Sequence, residues 1–347
     1  MADSLKTSFT FESVSLSGGF RMDDYWVWCG SCARDDHGRY HLFASRWPKA
    51  YPMHPGWVFH SEVVRAEADR PEGPYTFKEV VLPRRDNGYF DGMATHNPSI
   101  QRHGNTWLLF YTGITYPFSP PGPEAFPRDG DPLYAITWGM KRIGLATAPS
   151  PLGPWTRRDE PVLHTRSGRW DNGITSNPAP CVLPDGSVYL LYKSSHRRGY
   201  SGGPFGIGMA KADHWDAPFN RLSDEPVFHF PAGHVEDPFL WHQEGQFHCI
   251  AKDMTGELCG EAHAGTHLCS QDGQSWQLVN KAYSRTITWD NGIQEHMGSL
   301  ERPFLLMENG QPAYLFAATG SGPGGFHRCA STWNVVIPVR FNPEHPL

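Results

Sequence analysis

Glu236 and Asp237 stand side by side in His234-Val235-Glu236-Asp237-Pro238-Phe239-Leu240-Trp241, which reads as two carboxylates at the mouth of a buried strand. Other carboxylates recur at fixed places. Asp24, Asp91 and Asp171 each lie six residues ahead of Gly30, Asn97 and Asn177, and Glu301 directly precedes Arg302-Pro303. Converging carboxylates repel one another, which raises the pKa of one towards neutrality. A carboxyl that keeps its proton beside one that has lost it is the equipment of glycosidic bond cleavage. The plain alternative is an Asx turn, in which Asp caps its own backbone beside Gly. Phe90-Asp91-Gly92, Trp170-Asp171-Asn172-Gly173 and Trp289-Asp290-Asn291-Gly292 all suit it. Neighbours on a strand point to opposite faces, so one of Glu236 and Asp237 is expected to face an interior channel and the other away from it.

Sugar rings stack on aromatic faces, and Trp26, Trp28, Trp47, Trp57 and Trp170 lie near these carboxylates, as do His96, His234 and His296. Most tryptophans of such a chain belong to its core, which leaves one or two for a ligand. A phosphate would need cations instead, and Arg46, Lys193, His196, Arg197 and Arg302 form that set. The cysteines point elsewhere. Cys29-Gly-Ser-Cys32 has redox spacing but lacks a second pair and a surrounding βαβ pattern. Cys259, His263, His267 and Cys269 fall across a Gly-rich hairpin, and no zinc is assigned to them.

These residues sit in a repeat. Pro98, Pro178, Pro238 and Pro303 are 80, 60 and 65 residues apart, and each precedes a polar turn and an apolar run such as Trp107-Leu-Leu-Phe-Tyr111 or Val188-Tyr-Leu-Leu-Tyr192. Each unit closes on a Gly/Pro tail, as in Pro71-Glu-Gly-Pro-Tyr75 and Pro151-Leu-Gly-Pro-Trp155. Self-similarity at a long period marks a repeat architecture. Four short strands per unit, five times over, predict an all-β fold, a five-bladed β-propeller. Residues 1–20 form a lead-in with a closing strand over 8–15, and 21–347 form a single propeller. The Pro-rich excursion at 114–140 is expected to rim the central pocket.

Composition narrows the field. A formal charge of -6 and a pI near 6.3 argue against nucleic acid, whose binding needs a basic face. No apolar run approaches the roughly 18 residues of a membrane span. Met1 to Phe11 lacks the pattern of a secretory leader, so the sequence as it stands reads as cytoplasmic, and a leader removed earlier would make it secreted or periplasmic. Nothing in the sequence speaks to oligomeric state.

The repeat and its tail resemble the five-bladed propeller glycoside hydrolases of families 43 and 117 and their relatives, over roughly residues 20–335. The resemblance implies a carbohydrate substrate and, on the family 43 pattern, an inverting exo-glycosidase. Glu236 matches the acid of a Glu-Gly-Pro motif, with Asp237 in place of Gly. Asp24, with Asp23 as the alternative, stands in for the blade-one base, and Asp171 for the Asp that tunes the acid, because Asn177-Pro178 occupies the usual Asp-Pro position. The family 117 pattern, with a His as acid, offers His234 or His296. Asp91, His96, Arg46, Trp47, Trp170, Lys193, His234, His296, Glu301 and Arg302 complete the expected substrate contacts. No cofactor is required, although some relatives carry a divalent cation in the central channel. A phosphorylase on the same fold and a non-catalytic sugar-binding propeller are the rival readings.

Overall fold

The computed structural model describes residues 7–196, 199 and 203–342. Five four-stranded antiparallel sheets succeed one another along the chain. The first strand, β1 (Phe9–Phe11), belongs to the last sheet. Blade one runs outward through β2 (Tyr25–Arg34), β3 (Tyr40–Pro48), β4 (Glu62–Ala68) and β5 (Thr76–Leu82). Blade two holds β6 (Ala94–His103), β7 (Thr106–Ile114), β8 (Arg142–Ala148) and β9 (Thr156–Arg157), and blade three β10 (Ser176–Val182), β11 (Val188–Ser194), β12 (Gly206–Ala212) and β13 (Asn220–Arg221). Blade four follows as β14 (Val235–Gln243), β15 (Gln246–Asp253), β16 (Gly265–Ser270) and β17 (Gln277–Tyr283). A hairpin, β18 (Thr286–Thr288) and β19 (Gln294–His296), leads to blade five: β20 (Glu301–Glu308), β21 (Gln311–Gly320), β22 (Thr332–Phe341) and then β1. The ring is thus closed by strands from both ends of the chain, with Phe9 opposite Phe341 and Phe11 opposite Val339.

The middle strands explain the apolar runs. Each lies inside a blade that is itself packed between two others, so both of its faces are buried and strict alternation is lost. From Trp107 to Ile114 every residue of β7 is buried. The Gly/Pro tails turn the chain into the outer strands, with Gly73 at φ 86 and Gly153 at φ 87, a region open to glycine at no steric cost.

Three short helices interrupt the loops between middle and third strands: α1 (Met53–His60) in blade one, α2 (Pro132–Gly139) in blade two and α3 (Gly325–Arg328) in blade five. The long 114–140 excursion carries α2, whose Asp131 side chain accepts from Leu133 N–H as an N-cap beside Pro132. All three helices gather at one end of the propeller.

Candidate active site

Each inner strand breaks register at the same place. The breaks fall at Cys29, Asn97, Asn177, Asp237 and Arg302, all with left-handed φ between 48° and 57°. One extra residue at each position makes a β-bulge and re-aims a side chain. Asn and Asp tolerate this conformation; Cys and Arg do so at a cost. The sequence alignment had placed Gly30 opposite Asn97, whereas the bulges place Cys29 there.

The five re-aimed side chains meet. The Cys29 thiol donates to Asn97 Oδ1 at 2.9 Å, Asn97 Nδ2 donates to Asn177 Oδ1 at 3.0 Å, and Asn177 Nδ2 donates to Asp237 Oδ1 at 2.7 Å. The Arg302 guanidinium reaches the same Asp237 oxygen at 2.7 Å. This belt crosses all five blades. A narrow channel lies on one side of it and a cavity of about 290 Å³ on the other.

Trp28, His96, Ser176, Glu236 and Glu301 stand immediately ahead of the bulges, opposite Ser45, Thr112, Lys193, Lys252 and Ala318. Lys193 and Lys252 are therefore register equivalents, one blade apart, and they converge on Glu236. Lys193 Nζ contacts Glu236 Oε1, and Lys252 Nζ lies 3.1 Å from Glu236 Oε2, 3.4 Å from Asp237 Oδ2 and 2.8 Å from Glu301 Oε2. Burial alone would raise the Glu236 carboxyl, but Lys193, Lys252 and Arg302 outweigh it and hold it well below the usual range. Glu301 is held down in the same way by Lys252, against burial and against the neighbouring charge of Glu236. Burial would lower the Lys252 ammonium, yet its three carboxylates push it up.

Strand alternation predicts that one of Glu236 and Asp237 faces the interior and the other away. Glu236 lines the cavity and Asp237 the channel across the belt, and the bulge at Asp237 still lets both carboxylates reach one ammonium.

The walls are aromatic. Trp28 comes from β2, Trp57 from α1, Tyr134 and Trp138 from α2, and Phe326 from α3. The 114–140 excursion thus borders the cavity. Trp57 stacks on His96 with centroids 4.6 Å apart, and His96 Nδ1 pairs with the Ser61 hydroxyl at 2.7 Å. Burial, then Arg302, Lys141 and Lys193, keep that imidazole neutral, with its pKa well below the ordinary 6.5.

Of the residues singled out in the sequence, Glu236, Glu301, Arg302, Lys193 and His96 line this cavity, with Trp28 and Trp57. Others stand apart. Asp24 is exposed, its carbonyl accepting from Lys49 N–H, and Asp23 beside it is also exposed. Asp171 is buried away from the cavity. It pairs with Arg166 and Arg221 and accepts from the Tyr192 hydroxyl at 3.1 Å. Asp91 repeats that arrangement with Arg85, Arg157 and Tyr111. A Cβ at Gly144 or Gly208 would stand 2.4 Å from the Tyr111 or Tyr192 ring, so the Asp, Tyr, Gly and Arg form one scaffold module present in two blades.

Arg46 pairs with Glu62 and packs on Tyr25 and Phe77, and Trp47 is fully buried behind His96. Trp170 and His234 line a neighbouring cavity with His196. His296 is exposed on the β18–β19 hairpin. Arg197 lies outside the described residues. His267 stacks on Trp241 beneath the fourth blade, apart from His263, which lines the cavity.

The sequence reading missed Lys252, Lys141, Trp138 and Tyr134. Aligning the ends of the middle strands, Tyr192-Lys193 with Ala251-Lys252, would have found the first.

The channel does not suit the divalent cation carried by some propellers of this kind. Hard cations take several oxygen ligands. Here the belt offers one carboxylate, Asp237, already paired with Arg302, and its two amide oxygens accept hydrogen bonds from Cys29 and Asn97.

A ring of five four-stranded blades defines a class of propeller, and known structures share that fold. A family 117 glycoside hydrolase of the marine bacterium Zobellia galactanivorans superposes with a TM-score of 0.66 at 16% identity, over 96% of this chain and 91% of that one. A thermostable family-43 glycoside hydrolase gives 0.62 at 14% identity, over 96% and 94%. An exo-1,5-alpha-L-arabinanase from a bovine ruminal metagenomic library gives 0.57 at 13% identity, over 92% and 94%. At the level of sequence, no family model and no curated protein matches the chain. The architecture is that of the propeller glycoside hydrolases. Among the described residues no helix is long and apolar enough to cross a membrane.

Proposed function

We propose that the protein is an exo-acting glycoside hydrolase that cleaves the terminal sugar from an oligo- or polysaccharide. The observation that carries this reading is the pair Glu236 and Glu301 at the floor of an aromatic-walled cavity. Its volume of about 290 Å³ is at the small end for ligand sites, and the belt closes its floor, which suits a chain end better than a passing chain.

Asp24 and Asp171, given the base and tuning roles on the sequence, stand away from this cavity. The roles therefore fall to Glu236 and Glu301. Acid and base assignments follow the environments that push two carboxyls apart. Both are held below their ordinary 4.5, but Glu236, with two lysines, is the more firmly ionised and serves as nucleophile; Glu301, which burial and the Glu236 charge push back up, is the one of the pair that takes and returns the proton. Their oxygens share one ammonium at 3.1 and 2.8 Å. The two oxygens are therefore at most about 6 Å apart, short of the roughly 6.5–9.5 Å an inverting pair leaves for its water. Retention is expected in place of the inversion read from the family pattern.

The test is a two-substrate comparison on the full chain, with aryl-glycosides and oligosaccharides. Glu301→Gln should lose about 10²–10⁴-fold on a poor leaving group and much less on an activated one. Glu236→Gln should lose heavily on both, because it removes the attacking group. Leaving-group dependence in Glu236→Gln, with none in Glu301→Gln, would exchange the roles. A phosphorylase reading is favoured by Lys193 and Arg302 at the cavity. Turnover that requires added phosphate would select it.

A further inference from the structure

One buried cation behind the pocket has no carboxylate partner among the described residues. At the floor three carboxylates, Glu236, Asp237 and Glu301, are met by three cations, Lys193, Lys252 and Arg302, while Asp129 at the exposed rim pairs with His54. A fourth cation, Lys141, is 1% exposed and has no carboxylate within ion-pair distance among the described residues. Its ammonium lies 2.9 Å from the centre of the Trp138 ring and 5.3 Å from that of Trp57, both of which wall the cavity. Lys193 approaches the same Trp138 ring at 5.7 Å. Neither His96 nor Cys29 supplies a negative charge: the imidazole is held neutral, and burial pushes the Cys29 thiol up to about 12.

A buried cation without a counter-ion is costly, and such groups are paired or bound to a ligand in stable proteins. Burial, then Lys193 and Arg302, drives the Lys141 pKa well below its ordinary 10.5, and the more distant charges of Glu236 and Asp237 do not offset it. Cation–π contact with Trp138 offsets part of that cost.

We infer that the counter-ion arrives with the substrate: the pocket takes a sugar bearing a carboxylate, of the uronic acid type, with the anionic group against the His96, Lys193 and Trp138 wall in front of Lys141. This rests on the glycosidase reading and specifies its substrate class. Lys193 and Lys141 then act differently. Lys193 lines the cavity and offers direct hydrogen bonds, while Lys141 supplies charge from behind the indoles. Arg302, committed to Asp237 in the belt, holds the floor.

The test is calorimetric titration of the full-length protein with D-galacturonate, D-galactose and inorganic phosphate, repeated on Lys141→Met and on Lys141→Gln, which removes the charge but keeps a hydrogen-bonding group. The wild type should bind the uronate at least about tenfold more tightly than the neutral sugar, the scale of one charge-assisted contact. Both variants should lose that preference, keep their affinity for galactose, and melt at a higher temperature than the wild type because a lone buried charge is gone. Equal affinity of the wild type for both sugars, or a preference that survives both substitutions, would overturn the inference and leave the glycosidase reading standing. Saturation by phosphate with no preference for the uronate would overturn it in favour of an anionic co-substrate. Binding of neither sugar would remove the glycosidase reading and this inference together.

Discussion

Lys252 touches Glu236, Asp237 and Glu301, so the ionisation of the proposed acid and nucleophile depends on one side chain. Breaking a buried ion pair by removing one partner typically costs roughly 3–5 kcal/mol, because the other charge is left uncompensated. Lys252→Met is therefore expected to destabilise the fold by about that amount, seen as a lower urea midpoint. The pH dependence follows with a definite sign. Glu236 and Glu301 have folded pKa values below their ordinary 4.5, so they contribute stability that is present above pH 4.5 and is lost as pH falls below it. Without Lys252 both values rise, and the loss should begin at higher pH. The acid limb of kcat/KM should move up with it; an unmoved limb would mean that Lys252 does not tune the pair. Glu236, Glu301 and Arg302 were legible in the sequence because they stand beside the repeated prolines. Asp91 and Asp171 were misleading because they recur at a fixed distance ahead of those prolines. A polar residue that recurs blade after blade serves the scaffold every blade needs, whereas a site is made where the repeat is broken, as at Cys29, Glu236 and Arg302.

At the scale of the element, the inner-strand bulge does the positioning. Pro98, Pro178, Pro238 and Pro303 mark its place in the sequence. Arg302, ahead of Pro303, and Cys29, which precedes Gly30 and no proline, carry no signature of the left-handed conformation. This is why the six-residue spacing points to Gly30 where the bulge falls at Cys29. The bulge can be tested at Asn97, φ 53. Asn97→Val places a β-branched residue in a strained region and removes two belt hydrogen bonds, a cost of roughly 2–4 kcal/mol. Asn97→Gly loses the same bonds without the strain and should melt distinctly higher than the valine variant. Equal melting temperatures would mean that the left-handed conformation there carries no strain. Lys252 and Trp138 were missed for a physical reason as well. Lys252 ends an apolar strand, where a lysine usually reaches solvent, and Trp138 arrives on a helix inside an excursion that shows no period.

The whole ring was legible because its strands repeat at a long period and their middle members are buried on both faces. Closure depends on a short strand. β1 contributes three residues, yet it covers the outer edge of β22 and joins the two ends of the chain. An uncovered edge strand exposes a row of unpaired backbone groups, so β1 both seals the fifth blade and suppresses edge pairing between molecules. Phe9 is the buried apolar residue of this strand. It is 3% exposed, with its ring 5.1 Å from Phe341 and 6.3 Å from Trp241 of the fourth blade. Phe9→Ala should therefore cost about 3–5 kcal/mol, the range for a buried phenylalanine. The location of the loss distinguishes closure from ordinary core packing. Leu109, fully buried in blade two, provides the control, since Leu109→Ala removes a comparable apolar group far from the seam. If β1 is the closure, Phe9→Ala should raise hydrogen exchange along β22 and β1 ahead of the other blades and promote concentration-dependent association, while Leu109→Ala does neither at equal loss of stability. Identical exchange patterns and a monomeric Phe9→Ala protein would show that the ring holds without its N-terminal strand.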